Sequence, residues 1–411
     1  MITPSFSLTA TERVLPKLAL DFTTASLDPR VTFTRALNTA TVTNSSGNVV
    51  TINANLPRFD YNPVTLACKG LLIEESRVNS FIYSEDFNSW TTKNNVTISS
   101  ASVTSPAGTQ TGDTITGNAG TSAKYVAQTV SLSAAPTISV YVKAAGQNFI
   151  QILNATEVGG YANFDITAGA GAVGSKGATV SASSITDAGN GWYRITASFT
   201  IATGSVGFRI YFANSATAGY NPSSSSTGSV YFWGAQIESG TFPTSYIPNL
   251  ATGTTTRNAD IATMTGTNFS DWYNATQGSL KVVYQYNSGL TGTPISISDG
   301  TTANRVLIYK SGANMAGFVG SGGALQANMV TNAATTAVSK AVIALKQDNF
   351  AFEFNANGQT TDTSGLMPVS PNIMNIGAAQ GATSTFNGWI LQVYYYIQRL
   401  TANEVKAFSK Q

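Results

Sequence analysis

Apolar and polar residues alternate with a period of two along much of this chain, which is the pattern of a β-strand that buries one face. Clusters of Asn, Ser and Gly, the residues that form tight turns, separate the alternating runs. Three of the apolar faces are Ile138, Val140 and Val142; Phe350, Phe352 and Phe354; and Leu391, Val393, Tyr395 and Ile397. Many short strands with regular turn signals predict an all-β protein built from antiparallel β-sandwiches.

The charge content supports this fold class and excludes some partners. Only 10% of the 411 residues are charged, against roughly 25% in an average soluble domain, which disfavours long exposed helices. The net charge is +2 and no block of Lys or Arg occurs, so neither nucleic acid nor a membrane surface is an expected partner. No run of about 18 apolar residues predicts a membrane span, and residues 1–20 lack the pattern of a secretory signal.

Two residue types that carry much of enzyme chemistry are absent or nearly so. The chain has no histidine, which removes histidine-based catalytic triads and histidine metal ligands. The single cysteine, Cys68, excludes an intrachain disulfide and is expected to be a small buried residue. We therefore expect no metal and no cofactor, although a glycosidase that uses a carboxylate pair remains open.

The length predicts more than one domain, because single hydrophobic cores stop growing at roughly 250–300 residues. We divide the chain into an extended N-terminal attachment region (1–80), a first sandwich (81–248), a polar linker (249–257) and a second sandwich (258–411). A short helix is expected over about 403–409. Thr401 at its N-cap and Glu404 three residues later form a capping-box pattern.

Several segments resemble structural proteins of tailed bacteriophages. The first signature comprises Pro57–Pro63, Gly70–Arg77, Tyr83–Phe87 and Trp90. The second comprises Asn190–Thr196, Trp233–Gly240 and Pro243–Pro248, and is similar to the carbohydrate-binding-module-like jelly roll of those proteins. The last part, with Phe386–Gly388 and Arg399–Glu404, is similar to concanavalin A-like (laminin-G-like) domains.

The resemblance implies a protein of the virion surface, assembled in the host cytoplasm: a tail fibre, a head fibre or a decoration protein. It implies a homotrimer that contacts other virion proteins through its N-terminal region. A host cell-surface polysaccharide is the ligand that such a protein would recognise, and no enzymatic activity is implied.

Two strands of the first sandwich supply a candidate glycan-binding site. Tyr193, Ile195, Ala197 and Phe199 alternate with polar residues, as do Val206, Phe208, Ile210 and Phe212. If the two strands pair as a hairpin, four residues share the polar face: Trp192, Arg194, Arg209 and Tyr211. Sugar sites combine apolar surface with a few polar groups. The competing interpretation is that Trp192 packs at the edge of the sandwich with Arg194 stacked on it.

Two other functions stay open at this point. The first is a purely structural capsid or tail component that binds no glycan. The second is a polysaccharide depolymerase, which requires two carboxylates about 5–9 Å apart. The adjacent pairs Glu74–Glu75 and Glu85–Asp86 do not meet this need alone, because neighbouring residues on a strand point to opposite faces. Tyr161 and Tyr220 are expected to be ordinary loop aromatics.

Overall fold

The computed structural model describes residues 14–200, 204–287 and 292–410. The first nineteen strands are β1 (Leu18–Asp21), β2 (Thr32–Thr34), β3 (Ala40–Thr43), β4 (Val49–Ile52), β5 (Phe59–Tyr61), β6 (Cys68–Ile73), β7 (Arg77–Asn79), β8 (Thr92–Asn94), β9 (Val96–Val103), β10 (Gly112–Gly117), β11 (Tyr125–Leu132), β12 (Pro136–Ala145), β13 (Phe149–Asn154), β14 (Tyr161–Asp165), β15 (Ala172–Lys176), β16 (Val180–Asp187), β17 (Tyr193–Phe199), β18 (Gly204–Ala213) and β19 (Ser229–Ser239).

The remaining elements follow in chain order. They are β20 (Thr255–Arg257), β21 (Ile261–Thr265), helix α1 (Thr267–Ser270), β22 (Gln277–Tyr286), β23 (Ile295–Ser298), β24 (Arg305–Ser311), β25 (Asn314–Ser321), β26 (Ala324–Ala333), β27 (Ser339–Lys346), β28 (Phe350–Phe354), β29 (Thr360–Asp362), β30 (Ile373–Ile376), β31 (Gly388–Tyr396) and helix α2 (Ala402–Ser409). Three short 3₁₀ turns cover Phe22–Thr24, Phe87–Ser89 and Gln380–Ala382.

The first sandwich consists of two six-stranded antiparallel sheets. Sheet 1A has the order β16-β17-β12-β19-β10-β9, and sheet 1B has the order β15-β14-β13-β18-β11-β8. The predicted apolar faces form the core between them: Ile138, Val140 and Val142 of β12 are all at most 1% exposed. The all-β sandwich predicted from the alternation is therefore confirmed.

The second sandwich packs an eight-stranded sheet against a seven-stranded one. Sheet 2A has the order β29-β28-β27-β22-β31-β6-β5, with β1 also paired to β31, and sheet 2B has the order β2-β21-β30-β23-β24-β25-β26. Phe350, Phe352 and Phe354 of β28 lie in the core between the sheets, as predicted. On β31, Val393 and Tyr395 are buried but Leu391 is only half-buried, and Ile397 lies just beyond the end of the strand and is exposed. The register of β31 against β22 shifts at Val283–Tyr284, so Ile390 takes the core position instead.

The prediction of an extended N-terminal region is wrong for its described part. Strands β1, β5 and β6 belong to sheet 2A and β2 to sheet 2B, so these four strands complete the second sandwich, while β3 and β4 form a separate two-stranded sheet. Leu71 and Ile73 of β6 enter its core. Strands β1, β2 and β6 pair with partners more than 200 residues later in the chain, as Leu18 does with Tyr395 and Phe33 with Ala262, which a local pattern cannot show. Residues 1–13 of the predicted region lie outside the described residues.

The predicted linker is also part of the folded structure. Its first residue, Asn249, is buried, and its side-chain amide donates to the backbone carbonyls of Phe81 (2.9 Å) and Gly253 (2.8 Å). Its last three residues form β20, which pairs with β7, and Arg257 is fully buried. The polar composition predicted a linker, and the structure holds both ends of this segment in place while residues 250–254 between them are exposed.

A buried ionic cluster joins the parts of the chain. Arg35, Arg58 and Glu74 come from the N-terminal strands and loops, and Arg257 and Asp260 from the start of the second sandwich. Arg58 pairs with both Glu74 (2.8 Å) and Asp260. Burial by itself raises the pKa of Glu74, but the charges of Arg257 and Arg58 outweigh it and lower that pKa to about 2. The carboxylate is therefore ionised at any physiological pH.

The end of the first sandwich is tied into the same cluster. Ser245 donates from its backbone N–H and its hydroxyl to the two oxygens of Glu74, at 2.7 and 2.6 Å. The Arg58 Nη1 donates to the Ser245 hydroxyl at 2.8 Å. Arg58 and Glu74 belong to the first signature and Ser245 to the second, so the residues that carry the resemblance build the junction between the sandwiches.

The predicted C-terminal helix is confirmed. Helix α2 begins after Thr401, which forms a reciprocal capping box with Glu404. Leu400 and Val405 pack together with Tyr396 on the outer face of sheet 2A. Neither α-helix in the described part of the chain is long and apolar enough to cross a membrane.

Candidate functional site

The predicted hairpin of β17 and β18 does not form. β17 pairs with β12 and β16 in sheet 1A, whereas β18 pairs with β11 and β13 in sheet 1B. Their apolar faces meet across the core, where the Phe199 and Phe208 rings lie 5.6 Å apart. Alternation identifies the face that a strand buries but does not distinguish a neighbour in the same sheet from a partner in the facing sheet. The four predicted residues therefore divide into two pairs on opposite surfaces.

Trp192 has a packing role, as the competing interpretation held. It is 2% exposed, and its indole N–H donates to the Thr104 carbonyl at 3.2 Å. It belongs to an aromatic cluster on the outer face of sheet 1A with Tyr141, Trp233 and Tyr246. In this position the Trp192 ring offers no free face to a ligand.

Arg194 lies on the same outer face. Its strand neighbours are Tyr141 on β12 and Thr186 on β16. The guanidinium centre lies 5.5 Å from the Tyr141 ring centroid rather than on Trp192. Arg194 is half-buried and lines a cleft between the two sandwiches.

Arg209 and Tyr211 lie on the outer face of sheet 1B, within a group of aromatic residues that we call the tyrosine patch. The patch comprises Tyr125, Tyr161, Arg209, Tyr211 and Tyr220. Strand register brings its members together: Tyr125 is the partner of Tyr211, and Leu153 is the partner of both Arg209 and Tyr161. Tyr125, Tyr161, Arg209 and Tyr220 are half-buried, whereas Tyr211 is fully buried.

Arg209 is the only cation in the patch. Its guanidinium lies 4.9 Å from the Tyr125 ring centroid, and its Nη1 donates to the Tyr211 hydroxyl at 2.9 Å. Among the described residues, no carboxylate lies within ion-pair distance of Arg209. A half-buried guanidinium that has an aromatic support but no acidic partner can receive a carboxylate from a ligand through paired N–H donors.

Tyr211 orients the arginine and stays neutral. Its hydroxyl receives the hydrogen bond from Arg209 and donates to the Asn221 side chain. Burial raises the pKa of Tyr211, against the smaller opposing effects of the hydrogen bond and charge of Arg209. The hydroxyl therefore remains a donor through the neutral pH range.

The loop after β18 closes one side of the patch. The Gln151 amide donates to the Asn163 side chain (2.9 Å) and to the Gly219 carbonyl (2.8 Å), and Asn163 donates to the Ala218 carbonyl at 2.7 Å. These bonds hold Tyr220 beside Tyr161, with ring centroids 6.4 Å apart, and Tyr220 donates to the Ala155 carbonyl at 3.1 Å. Tyr161, which is the first residue of β14, and Tyr220 were both expected to be ordinary loop aromatics, and they form an aromatic pair on this side of the patch.

Tyr125 is the site residue that the sequence analysis missed. It alternates with Ala127 and Thr129 on the outer face of β11, opposite the buried Val126 and Val130. A tyrosine at the start of an alternating run of residues was the available signal. Its position beside Arg209 depends on the pairing of β11 with β18.

The carboxylate pairs considered for hydrolysis have structural partners. Glu74 lies in the ionic cluster, and Glu75 pairs with Arg77 at 2.5 Å. Glu85 accepts a hydrogen bond from the Tyr246 hydroxyl at 3.0 Å, and Asp86 caps the 3₁₀ turn Phe87–Ser89. Within the described ranges, no three His, Cys, Asp or Glu side chains are grouped to hold a metal ion. Cys68 is half-buried on β6, not fully buried as expected.

Comparisons with known proteins show only distant structural similarity. No family model and no curated protein matches the chain. One similar structure is the CBM40 of the Ruminococcus gnavus IT-sialidase bound to α2,3 sialyllactose, with 13% identity, a TM-score of 0.30, and 34% of this chain and 84% of that chain covered. Another is domain 4 of AbnA, a GH43 arabinanase from Geobacillus stearothermophilus in complex with arabinotriose, with 11% identity, a TM-score of 0.31, and 37% and 73% covered.

A third similar structure is a whole enzyme chain. The NanB sialidase of Streptococcus pneumoniae matches with 10% identity and a TM-score of 0.32 over 36% of this chain and 26% of that chain. At this level of identity and TM-score, these similarities do not identify a ligand or an activity for this chain.

Proposed function

We propose that this chain is a glycan-binding protein of the bacteriophage virion surface, and that the tyrosine patch binds a carboxylate-bearing saccharide. The observation that carries the glycan-binding part is Arg209, a half-buried cation on a tyrosine ring with no acidic partner among the described residues. The guanidinium would hold the sugar carboxylate, and the flanking tyrosine rings would contact the apolar face of the sugar.

The virion role rests on the sequence resemblance. The signature residues Arg58, Glu74 and Ser245 meet in one buried junction, so the first two signatures are in contact in the folded chain. In this proposal the protein is a tail fibre, head fibre or decoration, assembled in the host cytoplasm and mounted through contacts of its N-terminal region with other virion proteins.

The proposed glycan binding is tested with an array that carries acidic and neutral saccharides. We expect the parent protein to bind carboxylate-bearing saccharides. Arg209→Gln should weaken that binding about tenfold or more, because a hydrogen bond to a charged group contributes ~1.5–3 kcal/mol. Tyr125→Ala should weaken it as well, since it removes the ring under the guanidinium.

Arg305→Gln is the matched control for this experiment. Arg305 lies 5.0 Å from the Phe318 ring centroid on the second sandwich, so it is an arginine stacked in the same way on another surface. Circular dichroism verifies that each variant is folded. Undiminished binding by folded Arg209→Gln would refute the assignment of the patch, and an array without any signal would favour the purely structural capsid or tail component.

We also propose that the chain assembles as a homotrimer. Mass photometry of the purified protein should then give a main species of three chains of 42.9 kDa each. A single species at the monomer mass at micromolar concentration would contradict the trimer without bearing on the tyrosine patch.

A further inference from the structure

A cleft of about 210 Å³ lies between the two sandwiches, on the side of the first sandwich opposite the tyrosine patch. One wall is the outer face of sheet 1A, formed by residues of β12, β16 and β17. The other wall consists of residues of β3, β5 and β6 together with Trp389 of β31. A ligand in the cleft would therefore contact both sandwiches at once.

Arg194 is the central cation of the first wall. Its Nη2 donates to the Ser139 hydroxyl at 2.8 Å, and its Nε is buried without a hydrogen-bond partner. Because this half-buried guanidinium makes one side-chain hydrogen bond and no ion pair among the described residues, it retains N–H donors for an acceptor in the cleft. Hydroxyl groups of Ser184, Thr186 and Thr196 surround it on the same wall.

The second wall presents a cation and a carboxylate that are paired with each other. Lys69 Nζ lies 3.1 Å from the Trp389 ring centroid and 3.6 Å from Asp60 Oδ2. Asp60 also accepts from the Thr43 backbone N–H (2.8 Å) and the Trp389 indole N–H (2.9 Å). Burial raises the pKa of Asp60 and lowers the pKa of Lys69, although the two charges oppose both shifts.

The side chains that line the cleft carry equal numbers of positive and negative charges. Outside the ionic cluster, its charged lining residues are two cations, Lys69 and Arg194, and two carboxylates, Asp60 and Asp187. The two carboxylates would repel an anionic ligand, and the two cations would repel a cationic ligand. An uncharged molecule with many hydroxyl groups satisfies donors and acceptors alike, and the half-buried Tyr61, Pro63 and Pro243 side chains supply apolar surface for a sugar ring.

We propose that this cleft binds a single neutral pyranose unit, with Arg194 as the main donor to its hydroxyl groups. The site differs from the tyrosine patch in position and in ligand class, because the patch has an unbalanced cation and the cleft does not. The proposal does not depend on glycan binding at the patch.

The cleft is tested by saturation-transfer NMR with the methyl glycosides of glucose, galactose and mannose at millimolar concentrations, beside glucuronate. We expect at least one neutral glycoside to bind. Arg194→Gln should weaken this binding about tenfold. Thr186→Trp should weaken it at least as much, because it adds bulk at an exposed position on the rim and removes no buried group.

Two variants serve as controls. Lys143→Gln removes a cation on the same outer face of sheet 1A that does not line the cleft, and it should leave binding unchanged. Arg209→Gln should also leave glycoside binding at the cleft unchanged. The experiment therefore distinguishes a loss of binding at the tyrosine patch from a loss of binding at the cleft. The proposal is overturned if no neutral glycoside binds, if glucuronate alone binds, or if folded Arg194→Gln and Thr186→Trp bind as the parent does.

Discussion

Replacing Asp260 with alanine is expected to lower the free energy of unfolding by about 3–5 kcal/mol, as measured by chemical denaturation. Asp260 is fully buried and pairs with Arg35 at 3.1 Å and with Arg58. It also accepts the backbone N–H of Glu74 at 2.9 Å. Without Asp260, three buried guanidinium groups share Glu74 as the one remaining carboxylate of the cluster. The cost of an uncompensated buried charge is what makes this effect large.

The surface pair of Asp28 and Arg30 provides the control. Their side chains lie 2.8 Å apart and are 23% and 37% exposed, so water already solvates both charges. Asp28→Ala is expected to change the free energy of unfolding by no more than about 1 kcal/mol. If Asp260→Ala were as mild as Asp28→Ala, the buried cluster would not be what stabilises the junction between the two sandwiches.

Trp90→Ala is expected to destabilise the first sandwich by about 3–5 kcal/mol. The Trp90 ring is 1% exposed and packs against Phe81 and Phe87, with ring centroids 5.1 and 4.9 Å away. Its indole N–H donates to the Tyr83 carbonyl at 3.2 Å. Truncation leaves a cavity in the core of the first sandwich and removes the donor of that hydrogen bond. Near-ultraviolet circular dichroism during denaturant unfolding measures the loss.

Val158→Ala is the corresponding control, because Val158 is 76% exposed in the turn between β13 and β14. Its effect on the free energy of unfolding should stay within about 0.5 kcal/mol. A Trp90→Ala variant with parental stability would show that the segment Tyr83–Trp90 does not close the core of the first sandwich.

The candidate site could be predicted only in part from the sequence. Arg209 and Tyr211 do lie together on an outward face. Alternation with a period of two fixes which residues of one strand share a face, and this does not depend on the strand's partner. Trp192 and Arg194 lie on the opposite sheet. The sequence pattern of β17 is the same whether β18 lies beside it or across the core, and only packing of the whole sandwich selects between these arrangements.

The sequence by itself determined the all-β class, the inward faces of strands such as β12 and β28, and the capped C-terminal helix. Each of these follows from interactions between residues a few positions apart. The tertiary structure alone decided that the N-terminal strands complete the second sandwich and that the two ends of the presumed linker, Asn249 and Arg257, are buried. Both outcomes depend on contacts across long stretches of chain, as between Arg58 and Asp260, 202 positions apart. Such contacts depend on which charged residues are buried together and on which strands pair at the edges of the sheets. Local residue patterns do not show either of these.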